Sequence, residues 1–248
     1  GAGGGALKAA MKLWCDLHIH SCLSPCGDEL MTPNNLVNMA AIKGLEMIAV
    51  SDHNSARNLP AVQKVAWEAG VCLIPAIEFT TREEVHLLGY FPGVEAALEV
   101  SNAVYPHLLL PNRPEIFGPQ QVMNEQDEPI DEVDKLLIQA LDLSIDELVD
   151  WIHRAGGAAV PAHINRGSNG ILNVLGFLPE SGGYDALEVS PSLPVNERLI
   201  SGYRTLHSSD AHRLEDILER VEQIDLNSVS ARGFVRMLKE GGPEARNL

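Results

Sequence analysis

The chain has 248 residues, and its 34 Asp and Glu against 18 Lys and Arg give a formal charge of −16. Hydrophobic residues at 45% and charged residues at 21% are the proportions of a globular chain with a full core, which excludes disorder as the state of the whole. The charge argues against a broad basic surface that would neutralise nucleic-acid phosphates, and apolar runs such as 45–50 and 71–77 fall far short of the roughly 20 residues a membrane span needs.

Residues 1–10, GAGGGALKAA, precede Met11 and read as an appended leader outside the fold. Residues 11–19 (MKLWCDLHI) read as a buried strand. Thr32-Pro33 opens a helix, with Thr as cap, Pro at the first helical position and Gly44 at the stop. Residues 46–52 form the next strand and 60–69 a helix closed by Gly70. Residues 71–79 and 85–91 form two further strands, so that strand and helix alternate as in a parallel sheet covered by helices. Residues 101–135 interrupt the pattern. Pro or Gly stands at 106, 111, 114, 118, 119 and 129, and seven acidic residues lie between Glu115 and Asp134. Such a stretch reads as an insert, either a lid or a disordered segment. Alternation resumes with a helix capped by Ser144, then strands at 158–163, 186–190 and 203–208, a short helix near 195–201, and helices near 214–222 and 228–239. About seven strands in one domain, residues 11–248, fit an α/β barrel.

Cysteines stand at 15, 22, 26 and 72, with no paired CxxC spacing. A chain with an adequate core has no need of disulfides, so reduced thiols and a cytoplasmic location are expected. Trp14, Trp67 and Trp151 read as core.

The chemistry lies at the strand ends. His18 and His20 form an HxH pair, and residues i and i+2 of a strand point the same way. The next strand ends in Asp52-His53-Asn54 and the third in Glu78. The fourth carries His86, and later ones end in His163-Ile-Asn165 and Asp210-Ala-His212. In a barrel such ends converge on one face. Imidazole and carboxylate in this number suit two or three divalent ions, with zinc, manganese and iron as candidates and Glu78 as a bridging carboxylate.

The series DLHIHSCLSPCGD, SDHN, IEFT, VHLLGYF, PAHIN and SSDAH resembles the polymerase and histidinol phosphatase (PHP) family of metal-dependent phosphoesterases. The resemblance implies a distorted (β/α)7 TIM-like barrel with a trinuclear metal site at the C-terminal ends of its strands. It implies His18 and His20 on one ion with Glu78 and Asp210, and His86 and His163 at a second. His53 and His212 would hold a third, with one more ligand from the loop after His20. That loop departs from the family, which commonly places Asp or His there. Here Cys26 stands as a thiolate candidate and Asp28 as the alternative. Asp16 and Asp52 are candidates for orienting imidazoles.

These residues lead to the expectation of a phosphoesterase in which a metal-activated hydroxide hydrolyses a small phosphate monoester, a nucleotide phosphate or phosphorylated metabolite. Arg166 is the expected phosphate clamp, with Asn165 and Arg82 as further substrate contacts. His53 is a candidate proton donor to the leaving group, and Asp210 is placed in the catalytic machinery. The acidic surface implies a small phosphorylated partner and no extended nucleic-acid surface. The alternative is a non-catalytic metal-binding module of the kind attached to DNA polymerases.

Overall fold

The computed structural model describes residues 10–180 and 182–240, so residues 1–9 of the expected leader lie outside the described part. In chain order the elements are β1 Met11–Ile19, α1 Pro33–Ile42, β2 Met47–Val50, α2 Leu59–Ala69, β3 Cys72–Thr80, β4 His86–Tyr90, α3 Val94–Val104, α4 Pro114–Phe117, β5 Gln121–Met123, β6 Pro129–Glu132, α5 Ile145–Arg154, β7 Ala158–Pro161, α6 Ile171–Val174, β8 Leu187–Glu188, α7 Glu197–Ile200, β9 Thr205–Leu206, β10 Gln223–Leu226 and α8 Ala231–Glu240. Among the described residues no helix is long and apolar enough to cross a membrane.

Six strands form one curled sheet in the order β10-β1-β2-β3-β4-β7. Only β1-β2 and β2-β3 are parallel; β3-β4, β4-β7 and β1-β10 are antiparallel. This corrects the parallel reading. Five residues separate β3 from β4, too few for a crossover helix, so the chain must turn back on itself. The parallel pair β8-β9 continues the curl. Asp185 N–H donates to the Ala159 carbonyl at 2.9 Å, and Ala211 bridges Ile19 of β1. The result is an α/β barrel-like sheet in place of a regular alternation of seven units.

The apolar residues divide between the two faces of this sheet. Leu36, Val62, Phe79, Val100, Leu148 and Ile152 belong to the larger cluster, with α1, α2, α3 and α5. Leu17, Met47, Ile74, Leu88, Tyr90 and Val160 lie in the curl with Phe234, Val235 and Leu238 of α8. Thr32 caps α1 and Ser144 caps α5 in a capping box with Glu147, while Gly70 ends α2 with φ +71°.

Two segments differ from expectation. The residues expected as a helix at 214–222 hold only a short 3-10 turn at Leu214–Asp216, followed by the edge strand β10. Tertiary bonds override helical propensity there. The Asp16 carboxylate accepts from Leu218 N–H at 3.0 Å, and Lys43 Nζ donates to the carbonyls of Glu215 and Ile217. The 101–135 stretch carries the end of α3, then α4 and the antiparallel pair β5-β6, which docks on α1 and α2. Asp127 accepts from Thr32 Oγ1 at 2.5 Å and from Asn34 N–H at 3.0 Å. Asn58 Oδ1 accepts from Met123 N–H, and Lys64 and Arg57 pair with Glu125 and Asp131. Trp67 is 86% exposed, which corrects its place in the core.

Candidate metal centre

The ends of β1, β2, β3, β7 and β9 and the beginning of β4 meet at one end of the curled sheet. His86 joins them because β4 is antiparallel: it pairs with Thr80, the last residue of β3, so the start of one strand lies beside the end of the other. His53 bridges Glu78, and Asn54 N–H donates to the Glu78 carbonyl at 3.0 Å. His20 N–H donates to the Ala211 carbonyl at 2.9 Å, which brings the Asp210–His212 turn against β1.

Nine side chains gather there in three groups, each with its donor atoms within 4.8 Å of one another: His18, His20, Glu78 and Asp210; Glu78, His86 and His163; and His20, Cys26, His53 and His212. Glu78, 1% exposed, divides its two oxygens. Oε2 lies 3.4 Å from His18 Nε2, 3.1 Å from His20 Nε2 and 3.5 Å from His53 Nδ1; Oε1 lies 2.9 Å from His86 Nδ1 and 3.3 Å from His163 Nε2. Asp210 Oδ1 lies 3.2 and 3.1 Å from the Nε2 atoms of His18 and His20.

The outward partners of these rings determine which nitrogen faces inward. His18 Nδ1–H donates to the Glu188 carboxylate at 3.0 and 3.1 Å, and His20 Nδ1–H to Ser24 Oγ at 3.1 Å. His212 Nδ1–H donates to the Asp210 carbonyl at 2.7 Å. The Ser24 hydroxyl is free to accept because its own proton goes to Asp52 at 2.7 Å. Each neutral ring therefore turns an Nε2 lone pair inward. His18 and His20 Nε2 stand 3.2 Å apart, and two lone pairs at that distance cannot bond each other. A cation between them satisfies both. His53 Nδ1 is buried with no hydrogen-bond partner among the described residues. The donor set thus fits divalent metal ions of the kind imidazole and carboxylate hold.

Where no cation balances the carboxylates, protons on the rings do so. Burial disfavours charge on every group, and mutual attraction overrides it where opposite charges meet. Burial would raise Glu78, but His86, His18 and His53 hold it well below the usual carboxylate range. Burial likewise opposes charge on His20, yet its bonds to Asp210 and Glu78 hold it at about 9. His53 goes the other way, well below the ordinary histidine value, since burial and neighbouring His20 and His86 outweigh Glu78.

The remaining expected residues fall in different places. Arg166 Nη1 donates to Asp210 Oδ2 at 2.5 Å, and it lines a cavity of about 330 Å³ beside the cluster with Ser190, Ser192 and Ser208. Asn165 is occupied elsewhere: its amide donates to the carbonyls of Ser190 and Leu193 and accepts from Ser190 N–H. Arg82 is exposed on the turn before β4. Asp28 accepts from Leu30 N–H at 2.9 Å and belongs to none of the three groups. Asp52 reaches His20 through Ser24, whereas Asp16 accepts from Ser209 and Leu218 and braces the turn before Asp210.

One residue was absent from the sequence reading. Glu188 of β8, 3% exposed, holds His18 Nδ1 and also accepts from the His163 backbone N–H at 2.9 Å. A lone carboxylate inside the apolar run ALEVS is the signal that would have found it, because a buried charge requires a partner.

A barrel-like α/β sheet with a cluster of imidazoles and carboxylates at one end is the arrangement of a candidate metal centre. The PHP domain family model matches residues 16–167, and the chain belongs to that family. The 5'-3' exoribonuclease of Haemophilus influenzae is 32% identical over 77 residues, 30% of this chain and 27% of that protein. The matched segments span less than half of the curated relatives. Among solved structures, the lesion-specific endonuclease PfuEndoQ of Pyrococcus furiosus shares the fold with a TM-score of 0.67 at 20% identity, over 94% of this chain and 57% of that one. An amidohydrolase of Chromobacterium violaceum with bound sulfate shares it with a TM-score of 0.56 at 20% identity, over 92% and 96% of the two chains.

The expectation of a small phosphorylated partner and no extended nucleic-acid surface is corrected here. Endonuclease Q has been solved in complex with a 27-mer duplex substrate whose abasic lesion lies at the active site, and the Haemophilus relative is an exoribonuclease. A charge of −16 is summed over the whole chain, whereas phosphate is met locally, where divalent ions dominate the potential. An acidic composition therefore does not exclude a nucleic-acid partner for this fold.

Proposed function

We propose that this chain is a metal-dependent phosphoesterase that hydrolyses a phosphate ester of a nucleic acid. The observation that carries the reading is Glu78, whose two carboxylate oxygens face two different groups of imidazoles. In this reading His18, His20, Glu78 and Asp210 would hold one ion, Glu78, His86 and His163 a second, and Cys26, His53 and His212 a third; His20, with its Nδ1–H on Ser24, has one inward lone pair and serves the first ion, beside the third. Zinc, manganese or iron in these places supplies Lewis acidity toward phosphate oxygens and a water acidified toward neutral pH.

The chain's own residues do the rest. Glu188, Ser24 and the Asp210 carbonyl fix three rings with Nε2 inward, so ion binding needs no rearrangement of protons between ring nitrogens. Arg166 has one N–H on Asp210 and directs its remaining donors to phosphate oxygens, a role that a planar guanidinium fills in two-pronged fashion. His53 is held neutral and buried, and we assign it to metal binding in place of proton donation. A decayed, non-catalytic module would be expected to have lost ligands, whereas each of the three groups here keeps at least three donor side chains.

The test is hydrolysis of 5′-phosphorylated RNA and DNA oligonucleotides, beside a chromogenic phosphodiester, by metal-loaded and chelator-treated protein. Chelator-sensitive cleavage that is lost in Glu78→Gln is expected. Failure to cleave any of these with two or more ions bound would overturn the reading.

A further inference from the structure

The three groups are chemically unequal. Two consist of imidazole and carboxylate alone. The third sets three imidazoles around a thiol, with Cys26 facing His20, His53 and His212.

The backbone presents this sulfur. Ser24 N–H donates to the Ser21 carbonyl, Gly27 N–H to the Ser24 carbonyl at 2.9 Å, and Asp28 N–H to the His212 carbonyl at 2.9 Å. The last bond ties the residues after Cys26 directly to a member of the same group. Gly27 admits no larger residue, since a Cβ there would stand 2.3 Å from the Ser21 carbonyl oxygen. Asp28, the carboxylate that could have served instead, is engaged with Leu30 N–H.

We propose that this third subsite is thiophilic: it selects a zinc-class ion through the Cys26 thiolate, while the Glu78 subsites accept harder ions, so that the centre holds two kinds of metal. The proposal rests on the reading of the cluster as a metal centre but not on hydrolysis. The imidazoles of His53 and His212 with one thiolate form a donor set that zinc favours, whereas manganese prefers oxygen. As a thiol, Cys26 gives up its proton when it binds a cation. On binding, the S–H proton leaves to solvent and one metal–sulfur bond forms, with no change of oxidation state.

The experiment uses the full chain, reduced and stripped of metal, titrated anaerobically with Co²⁺ while the thiolate-to-cobalt charge-transfer band is followed in the near ultraviolet. The expected result is a band saturating at one ion per chain, retained in Cys22→Ala and absent in Cys26→Ser. In competition between Zn²⁺ and excess Mn²⁺, wild type retains one tight zinc. Cys26→Asp loses that preference by at least the roughly 10–100-fold that removal of an outer partner costs. Unchanged melting of Cys26→Ser after chelation shows that its fold is intact. No band in wild type, or the same band in Cys26→Ser, would overturn the proposal. Phosphate-ester cleavage is scored separately. A cobalt–thiolate band in a protein that cleaves nothing refutes the enzymatic reading alone, and cleavage without the band refutes this one alone.

Discussion

Replacing Glu188 with Gln tests whether a residue outside the three groups governs the metal centre. Its Oε1 accepts from the His163 backbone N–H at 2.9 Å and from His18 Nδ1–H at 3.0 Å, and its Oε2 stands 3.1 Å from the same Nδ1. An amide in that place keeps an acceptor at Oε1 and sets an NH2 donor against the His18 N–H. The ring escapes by moving its proton to Nε2, the atom that faces His20, Glu78 and Asp210. Loss of such an orienting carboxylate costs roughly 10–100-fold in metal affinity, or about 1.4–2.8 kcal/mol at 1.4 kcal/mol per tenfold. Exchanging a charge-assisted bond for a neutral one costs about 1–2 kcal/mol of stability, a fall in Tm of roughly 2–8 °C for a chain of this size. Calorimetric titration of stripped Glu188→Gln with Zn²⁺ measures the first and thermal melting the second. Affinity within about twofold of wild type, beside a Glu78→Gln control that has lost binding, would refute the assignment.

Ser24→Ala removes the acceptor of His20 Nδ1–H and of the His53 backbone N–H; each stranded donor costs about 1–3 kcal/mol, so metal content after gel filtration falls, and full retention by mass spectrometry contradicts the relay from Asp52. Arg166→Ala lowers phosphate-ester cleavage by roughly 10²–10³, the loss typical of one donor to a developing oxyanion, and Arg166→Lys restores only part of it; an unchanged kcat/KM in both removes Arg166 from the reaction. Metal affinity rises with pH: His20, held at about 9 in the metal-free protein, must surrender a proton below that pH, so calorimetric enthalpies at pH 7 depend on the buffer's ionisation heat, and the dependence weakens as pH passes about 9, where only the Cys26 proton is still released. The same raised value stabilises the metal-free protein fully below the ordinary histidine range near 6.5, and the contribution fades as pH climbs through about 9. The gap in Tm between loaded and chelated protein therefore widens from pH 6.5 to 9, and a constant gap is the refuting result.

Most of the site could be read from the chain because strands carry a local rule: a polar residue at the end of an apolar run is placed by the run itself. His18, His20, Glu78, His163 and Asp210 all follow it. His86 follows it only through the antiparallel turn after β3, which the short 81–85 connection already implied. What stayed hidden depends on distant contacts. Glu188 sits in a two-residue strand, and its purpose appears only when β8 is laid beside β1 and β7. The edge strand β10 follows a segment of helical composition that Asp16 and Lys43 pin from other parts of the chain. The Asn165 amide looked free beside a ligand candidate, and only the folded loop shows it bonded to residues 190 and 193.

The backbone around the cluster turns left-handed at three non-glycine positions. Asn54, His163 and Asp210 all have positive φ, at 50°, 28° and 54°. Two of these are members of the ligand groups, and the third follows His53. Asn and Asp adopt this conformation readily, whereas at His163 it costs about 1–3 kcal/mol and persists because its surroundings impose it. Each has such surroundings here. Glu188 grips the His163 N–H, the Glu78 carbonyl accepts from Asn54 N–H while the Asn54 side chain donates to the Leu137 and Gln139 carbonyls, and Arg166 with His20 holds the Asp210 carboxylate. These positions are thus anchored by bonds to other strands, so the turns that carry them cannot relax independently. Ions held by those side chains would then act as cross-links between β1, β3, β7 and the turn after β9. In that arrangement the groups that would bind metal would also close the open joins of the sheet.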